Sequence, residues 1–173
     1  IDQALDGELD YLFVATSSTG AAQGCRDYLH QAGRRTQVIA VDAEGSVLFG
    51  GKVGERMIPG LGAGRMPPLA RGQQFDRVCR VTDRQCVIGC RRASHREAML
   101  LGGSAGGVLE VVRQMQDELA GKTCVAVAHD SGTRYLETVY NDQWVFENLH
   151  ATPSQINQAA GIVCENPMIE SAV

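Results

Sequence analysis

The sequence predicts an α/β fold with a three-layer, mostly parallel sheet. Three observations carry this. Short apolar strand-like runs alternate with segments of helical periodicity. The runs lack the in–out alternation of a sheet with one wet face. Two loops of small and hydroxyl residues, 17–21 and 102–107, fall where strands give way to helices, the place where ligands bind in such sheets.

The elements follow in order. Tyr11-Leu-Phe-Val-Ala-Thr16 reads as a buried strand ending in Ser17-Ser18-Thr19-Gly20. Ala21, Cys25, Tyr28 and Ala32 then recur at helical spacing until Gly33. Thr36–Asp42 is a second strand, so the opening is a right-handed βαβ unit. Residues 50–72 hold seven glycines and three prolines and read as a long functional loop. Arg77–Thr82 is a third strand. Thr82-Asp-Arg-Gln85 has the spacing of a capping box and opens a helix to about Leu100 with Cys86, Cys90 and Ala93 on one face. Val108, Val112, Met115 and Leu119 predict another helix, closed by Gly121. Thr123–Ala128 reads as a strand buried on both sides. Short helices are expected from Thr133 and over Asp142–Leu149. The division is therefore a domain over 1–150 and a tail over 151–173.

Composition limits the function. The 173 residues are 44% hydrophobic and 21% charged, which excludes disorder and collagen and fits one folded domain. No apolar run reaches the roughly 18 residues of a membrane span, and no basic-then-apolar leader is visible. The first residue is not Met, which suggests a processed or cut product. The net charge is −4 and the basic residues are scattered, so no nucleic-acid partner is expected. The six cysteines read as thiols rather than a disulfide framework. Only two residues are Lys, Lys52 and Lys122.

The candidate chemistry lies in the loops. Ser17, Ser18, Thr19, Gly20 and Ala21 join a strand to a helix N-terminus. Converging backbone N–H groups, three hydroxyls and the helix dipole make either a hydroxyl-rich cap or a cup for phosphate. The segment is neither a P-loop nor a dinucleotide fingerprint. Ser104, between Gly103 and Ala105, is either an N-cap or a hydroxyl offered to a flat ligand across cleared space. Ile58-Pro-Gly-Leu-Gly-Ala-Gly64 holds no acid, base or nucleophile; it lines or closes a pocket, or is an ordinary surface loop. His30, His95 and His150 read as exposed, and His129 follows a strand. Cys86 and Cys90 have no partner pair at metal-ligand spacing, so no metal is expected. No G-x-S-x-G elbow occurs.

Four segments in this order resemble the second half of the fold-type II pyridoxal-phosphate (PLP) enzymes, the group of cysteine synthase and cystathionine β-synthase with the tryptophan synthase β-like fold. They are Asp10–Gly20, Ile58–Gly64, Gly102-Gly-Ser-Ala-Gly106 and Asp130–Leu136. The resemblance implies that Ser17–Ala21 is the cup for the PLP phosphate. The family usually has a Gly-Thr-Gly-Gly-Thr type loop there. Here Ser17 replaces the first glycine, Thr19 the third-position glycine, and Ala21 the final Thr, so Ala21 offers only a backbone N–H. Ser104 matches the family serine that bonds the pyridine nitrogen. A neutral hydroxyl there does not force ring protonation, which suits elimination and replacement at Cβ. Pro59, Gly60, Leu61 and Gly62 match the segment lining the pocket for the incoming nucleophile.

Within the family, Ala40–Phe49, the Ser-Ser-Thr-Gly cup and Cys86-Val-Ile-Gly-Cys-Arg-Arg92 look like the siderophore-pathway branch, the N-(2-amino-2-carboxyethyl)-L-glutamate synthases. These replace the phosphate of O-phospho-L-serine by the amino group of L-glutamate, toward 2,3-diaminopropionate. The alternatives are β-replacement with a sulfur nucleophile, or a non-catalytic half-domain. The family's Schiff-base Lys motif, Ser-x-Lys followed by an acid, is absent, as is its Thr/Ser-Gly-Asn carboxylate loop. Neither Lys52 nor Lys122 matches. The resemblance therefore implies the C-terminal half of a larger cytoplasmic, homodimeric enzyme of amino-acid metabolism. This chain holds no catalytic residue and is inactive alone. Its N-terminal partner half would cover the exposed apolar surfaces.

Overall fold

A computed structural model describes residues 1–162. Strands β1 (Tyr11–Ala15), β2 (Gln37–Ala43), β3 (Arg77–Val81) and β4 (Cys124–Ala126) form one sheet in the order β3-β2-β1-β4, and every pairing is parallel. Helix α1 (Gly20–Gln31) completes the predicted β1-α1-β2 unit.

The pleat sorts β1 between two cores. Leu12 and Val14 join Ala22 and Leu29 on the α1 face. Tyr11, Phe13 and Ala15 join the residues of helices α2 (Asp83–Glu97) and α3 (Gly103–Gln114) on the other. Phe13 is fully buried. Helices on both faces explain why the strand sequences do not alternate in polarity.

Thr82 caps α2 through the expected capping box: its hydroxyl accepts from the Gln85 N–H, and Gln85 answers at the Thr82 N–H. The helix ends at Glu97, not near Leu100, because Ala98 turns into the left-handed region at φ 53°. Helix α3 ends at Gln114. Met115 and Leu119 continue the apolar stripe in a looser turn.

Helices α2 and α3 meet backbone to backbone. A β-carbon at Gly89 would lie 2.0 Å from the Gly106 carbonyl oxygen, and one at Gly106 would lie 2.2 Å from that of Cys86. The 102–107 run is therefore mostly helix. Gly106 and Gly107 clear space for α2 and β3, not for a ligand.

Two further expectations change. β4 is an edge strand of three half-buried residues, shorter than the predicted buried strand over 123–128. It pairs with β1 alone among the described residues. Residues 151–160 are not a tail. Helix α4 (Asp142–Leu149) is followed by α5 (Pro153–Ala160), itself opened by a capping box at Thr152. Ala151, Ile156 and Ala160 are buried in the larger core. The predicted tail missed this because two apolar anchors in eight residues leave little periodicity to read. The rest of that tail, 163–173, lies outside the described residues.

Arginines of α2 hold this end in place. Arg84 donates to the carbonyls of Leu149 and His150 at 3.2 and 3.0 Å. Arg92 donates to that of Ala160 at 3.2 Å and pairs with the buried Glu110 of α3. The α2 sequence Arg91-Arg92, part of the branch resemblance, thus has a structural use.

Two outcomes test this packing. Ile156→Ala is expected to lower the unfolding free energy by about 2–5 kcal/mol in urea titrations, since it empties a fully buried site; a detached tail would show no change. Gly106→Ala is expected to abolish the cooperative thermal transition, because its new methyl meets backbone that cannot move alone.

Candidate cofactor site

The site is built on the carboxyl ends of the parallel strands. Beyond β1, Thr16 still follows the sheet: its N–H and its hydroxyl both donate to the Val41 carbonyl, at 2.8 and 2.9 Å. The chain then leaves the ladder. Thr19 takes φ 70°, a conformation that costs a non-glycine residue about 1–2 kcal/mol. The resemblance puts a glycine at this position, and Thr19 adopts the geometry that glycine would.

Helix α1 starts at Gly20 without a side-chain cap and without an acidic residue in its first turn. Its first internal bond runs from the Gln23 N–H to the Thr19 carbonyl at 2.9 Å. The N–H groups of Gly20, Ala21 and Ala22 thus have no protein acceptor among the described residues. Unmatched donors at the positive end of a helix form an anion cradle.

The hydroxyls divide. Ser17 Oγ donates to the Gly62 carbonyl at 3.2 Å, and Thr19 Oγ1 donates to the Ser18 carbonyl at 2.6 Å. Their protons shape the loop. Ser18 is exposed and its hydroxyl proton is uncommitted among the described residues. The donors this arrangement leaves for an anion are Ser18 and the backbone.

Ser104 is the second residue of α3, behind the N-cap Gly102, so it is not the cap. It is buried, and its hydroxyl has no hydrogen-bond partner among the described residues. The start of α3 is pinned just past the carboxyl end of β4. The Gly102 N–H donates to the Asp130 carbonyl at 3.1 Å, and Leu101 bridges to Ser131. Asp130 Oδ2 accepts from the Tyr135 hydroxyl at 2.6 Å, which pushes the Tyr135 phenol up to about 12.

The 58–64 segment rides on the cup. The Gly62 N–H donates to the Thr16 carbonyl at 2.7 Å, beside the Ser17–Gly62 bond. Ser46, fully buried, accepts from the Ala63 N–H at 3.1 Å and latches the segment to the turn after β2. Gly62 must be glycine, since φ is 72° and a β-carbon would lie 2.9 Å from that of Ser46. Pro59 and Gly60 are exposed, and Gly62 is buried. The expected role of Leu61 needs correction: its side chain is buried in the core with Phe13 and does not line open space.

Comparison with known proteins decides what this arrangement belongs to. The family model described as "Pyridoxal-phosphate dependent enzyme" matches residues 1–130. The chain belongs to that family of PLP enzymes. Its structure is similar to that of the O-acetylserine dependent cystathionine β-synthase from Helicobacter pylori, with TM-score 0.72 and 26% identity over 80% of this chain. The match spans 45% of that protein's chain.

The residues present fit the PLP family's cofactor at both ends. Unbonded N–H groups and Ser18 suit a phosphate, and the free Ser104 hydroxyl suits a ring nitrogen. No lysine joins them. Lys122 pairs with Asp10 at 3.6 Å at the amino end of β1, opposite the cup, and Lys52 is exposed on the 50–72 loop. His129 is exposed, as are His30, His95 and His150. Cys86 and Cys90 are buried, and burial pushes both thiols up, Cys90 to about 12. They are inert core thiols rather than nucleophiles.

Sequence reading missed Arg56. The half-buried guanidinium lies against Gly62 and Gly64, and Nη1 donates to the Leu61 carbonyl at 3.0 Å. The only available signal was a charged pair, Glu55-Arg56, just before a glycine-rich segment.

Asp42, at the carboxyl end of β2, makes the site's support pH-sensitive. It is fully buried, and burial raises its carboxyl above the ordinary range, opposed by hydrogen bonds from Ser46 and the Ala43 N–H. A raised folded-state value means that the folded protein holds this proton more tightly than the unfolded chain. The resulting stability is full below the ordinary carboxylate value and is lost as pH rises through the raised one. Urea titrations should therefore show the parent losing stability relative to Asp42→Asn as pH rises above the ordinary carboxylate range.

Proposed function

We propose that this chain carries the cofactor-binding half of a PLP-dependent β-replacement enzyme acting on an activated L-serine. The observation that carries the reading is the pairing, in a PLP-family fold, of an uncapped α1 N-terminus with an unbonded Ser104 hydroxyl at the start of α3. When bound, PLP supplies the electron sink that lets a group leave Cβ of an amino acid.

The chain's own residues bind and orient. The N–H groups of Gly20 and Ala21, with Ser18, hold the phosphate. The loop shaped by Ser17 and Thr19 keeps those donors converged, so no reorganisation is needed on binding. Ser104 meets the ring nitrogen with a neutral hydroxyl, which leaves the ring a mild electron sink. Pro59, Gly60 and Gly62 border the space where the second substrate approaches. The lysine and the substrate-carboxylate loop come from the N-terminal half of the same enzyme, in a homodimer. The chain alone is inactive.

The substrates we assign are O-phospho-L-serine and L-glutamate, giving N-(2-amino-2-carboxyethyl)-L-glutamate and phosphate, a precursor of 2,3-diaminopropionate for siderophores. Support comes from the resemblance of Ala40–Phe49, the Ser-Ser-Thr-Gly cup and Cys86–Arg92 to that branch. The resemblance of the structure to an O-acetylserine dependent cystathionine β-synthase favours a second reading, replacement by a sulfur nucleophile.

Fluorescence titration of the chain with PLP tests the cofactor reading. Ser104→Ala is expected to weaken PLP binding roughly three- to tenfold, the loss of one hydrogen bond, without shifting the thermal transition. Intact mass after borohydride reduction should show no PLP adduct on Lys52 or Lys122. An adduct on either would overturn the assignment of the lysine to another segment. With that segment supplied, phosphate release from O-phospho-L-serine should depend on glutamate; dependence on sulfide or homocysteine would select the second reading.

A further inference from the structure

Arg56 makes no ion pair within 4 Å among the described residues. It donates one hydrogen bond, to the Leu61 carbonyl at 3.0 Å. Its Nε is buried with no partner, and Nη2 has none among the described residues. No carboxylate there forms an ion pair with it. The buried Asp42 lies 3.9 Å from Arg80, and both Arg80 and Arg56 act on it through space. The surrounding loop adds to the positive field: residues 50–72 carry Lys52, Arg56, Arg65 and Arg71 against Glu55, in a chain of net charge −4.

The guanidinium is also held in place. A β-carbon at Gly62 would come within 3.1 Å of Nη1, and one at Gly64 within 3.3 Å of Nη2. It therefore lies over glycine backbone that any side chain would crowd. That same backbone is bonded to the cup through Gly62–Thr16 and Ser17–Gly62. A planar fork of donors, pre-positioned beside a binding loop and partly dehydrated, matches a carboxylate or a phosphate with two parallel hydrogen bonds. Leaving it unpaired is costly, and an anionic ligand removes that cost.

We infer that Arg56 is a specificity-determining residue that grips the side-chain oxyanion of an acidic amino-acid substrate next to the cofactor cup. This rests on the PLP-site reading above and adds to it the residue that recognises the substrate's acidic group. The oxyanion is the phosphate of a phosphorylated donor or the side-chain carboxylate of an acidic acceptor. An O-acetyl donor has no such group.

The test is calorimetric titration of the PLP-loaded chain with O-phospho-L-serine, L-glutamate and O-acetyl-L-serine, in parent, Arg56→Gln and Arg56→Lys. PLP affinity and the melting transition are followed in parallel, and inorganic phosphate is titrated without PLP. Arg56→Gln is expected to weaken at least one acidic ligand by roughly tenfold and to leave O-acetyl-L-serine, PLP affinity and the melt unchanged. Arg56→Lys, which keeps the charge but loses the fork, should fall between, and it carries the test if the Gln variant does not fold. Loss confined to O-phospho-L-serine names the donor, and loss confined to glutamate names the acceptor. Equal binding by all three proteins overturns the inference, as does loss of PLP affinity in the variants, which would assign Arg56 to the cofactor phosphate. Failure of the parent to bind PLP would sink the cofactor reading separately. Arg56 is then judged by inorganic phosphate alone, where equal affinity in parent and Arg56→Gln overturns it.

Discussion

Helices α2 and α3 touch through their backbones at Gly89 and Gly106, and the carboxyl edge of the sheet is arranged around that contact. At this separation no side chain cushions the helices, so their relative position is set by hard-sphere contact rather than by adaptable packing. Helix α3 is thereby seated over β1 with its first turn at the ligand end of the strands. Gly107 continues the close fit against Cys86 and Val81. Ser104, two residues before the contact, inherits that position. The residue is buried, but its hydroxyl, which has no hydrogen-bond partner among the described residues, stays accessible.

The cup depends on a second chain of constraints. Ser46 holds Ala63, Gly62 holds Thr16, and Ser17 holds Gly62. Each link is a hydrogen bond between a loop and the end of a strand, so the 58–64 segment is part of the cup wall rather than a free flap. Leu61 and Ile58 anchor it from below in the core. Thr19 in a left-handed conformation is the strained member of this set. Strain of this kind persists where the surroundings over-determine the backbone, as they do here.

The two faces of the sheet are unequally covered. The α2–α3 face has α4 and α5 behind it, clamped by the arginines of α2. The other face has α1 and a groove of about 520 Å³ bordered by Leu9, Leu12, Cys25 and Leu29. β4 is half-buried at the edge, although its sequence suits a covered strand. No described helix is long and apolar enough to cross a membrane. The chain spans 45% of the length of the cystathionine β-synthase it resembles.

By itself the sequence determined the layer architecture, the βαβ start and the capping box at Thr82. These depend on local periodicity, turn chemistry and short-range hydrogen bonds, which a linear reading contains. The family resemblance, carried by four spaced segments, extended this to the cofactor. Only the tertiary structure decided which hydroxyls remain free, that Leu61 belongs to the core, that Gly106 and Gly107 serve helix packing, and that α5 is docked. It alone left Arg56 without a close ion pair among the described residues. The physical reason is common to all of these. Whether a donor, a methyl or a charge is already satisfied depends on residues far away in the chain: Gly62 for Ser17, Gly89 for Gly106, Arg80 for Asp42. Spacing along the sequence does not record those distances.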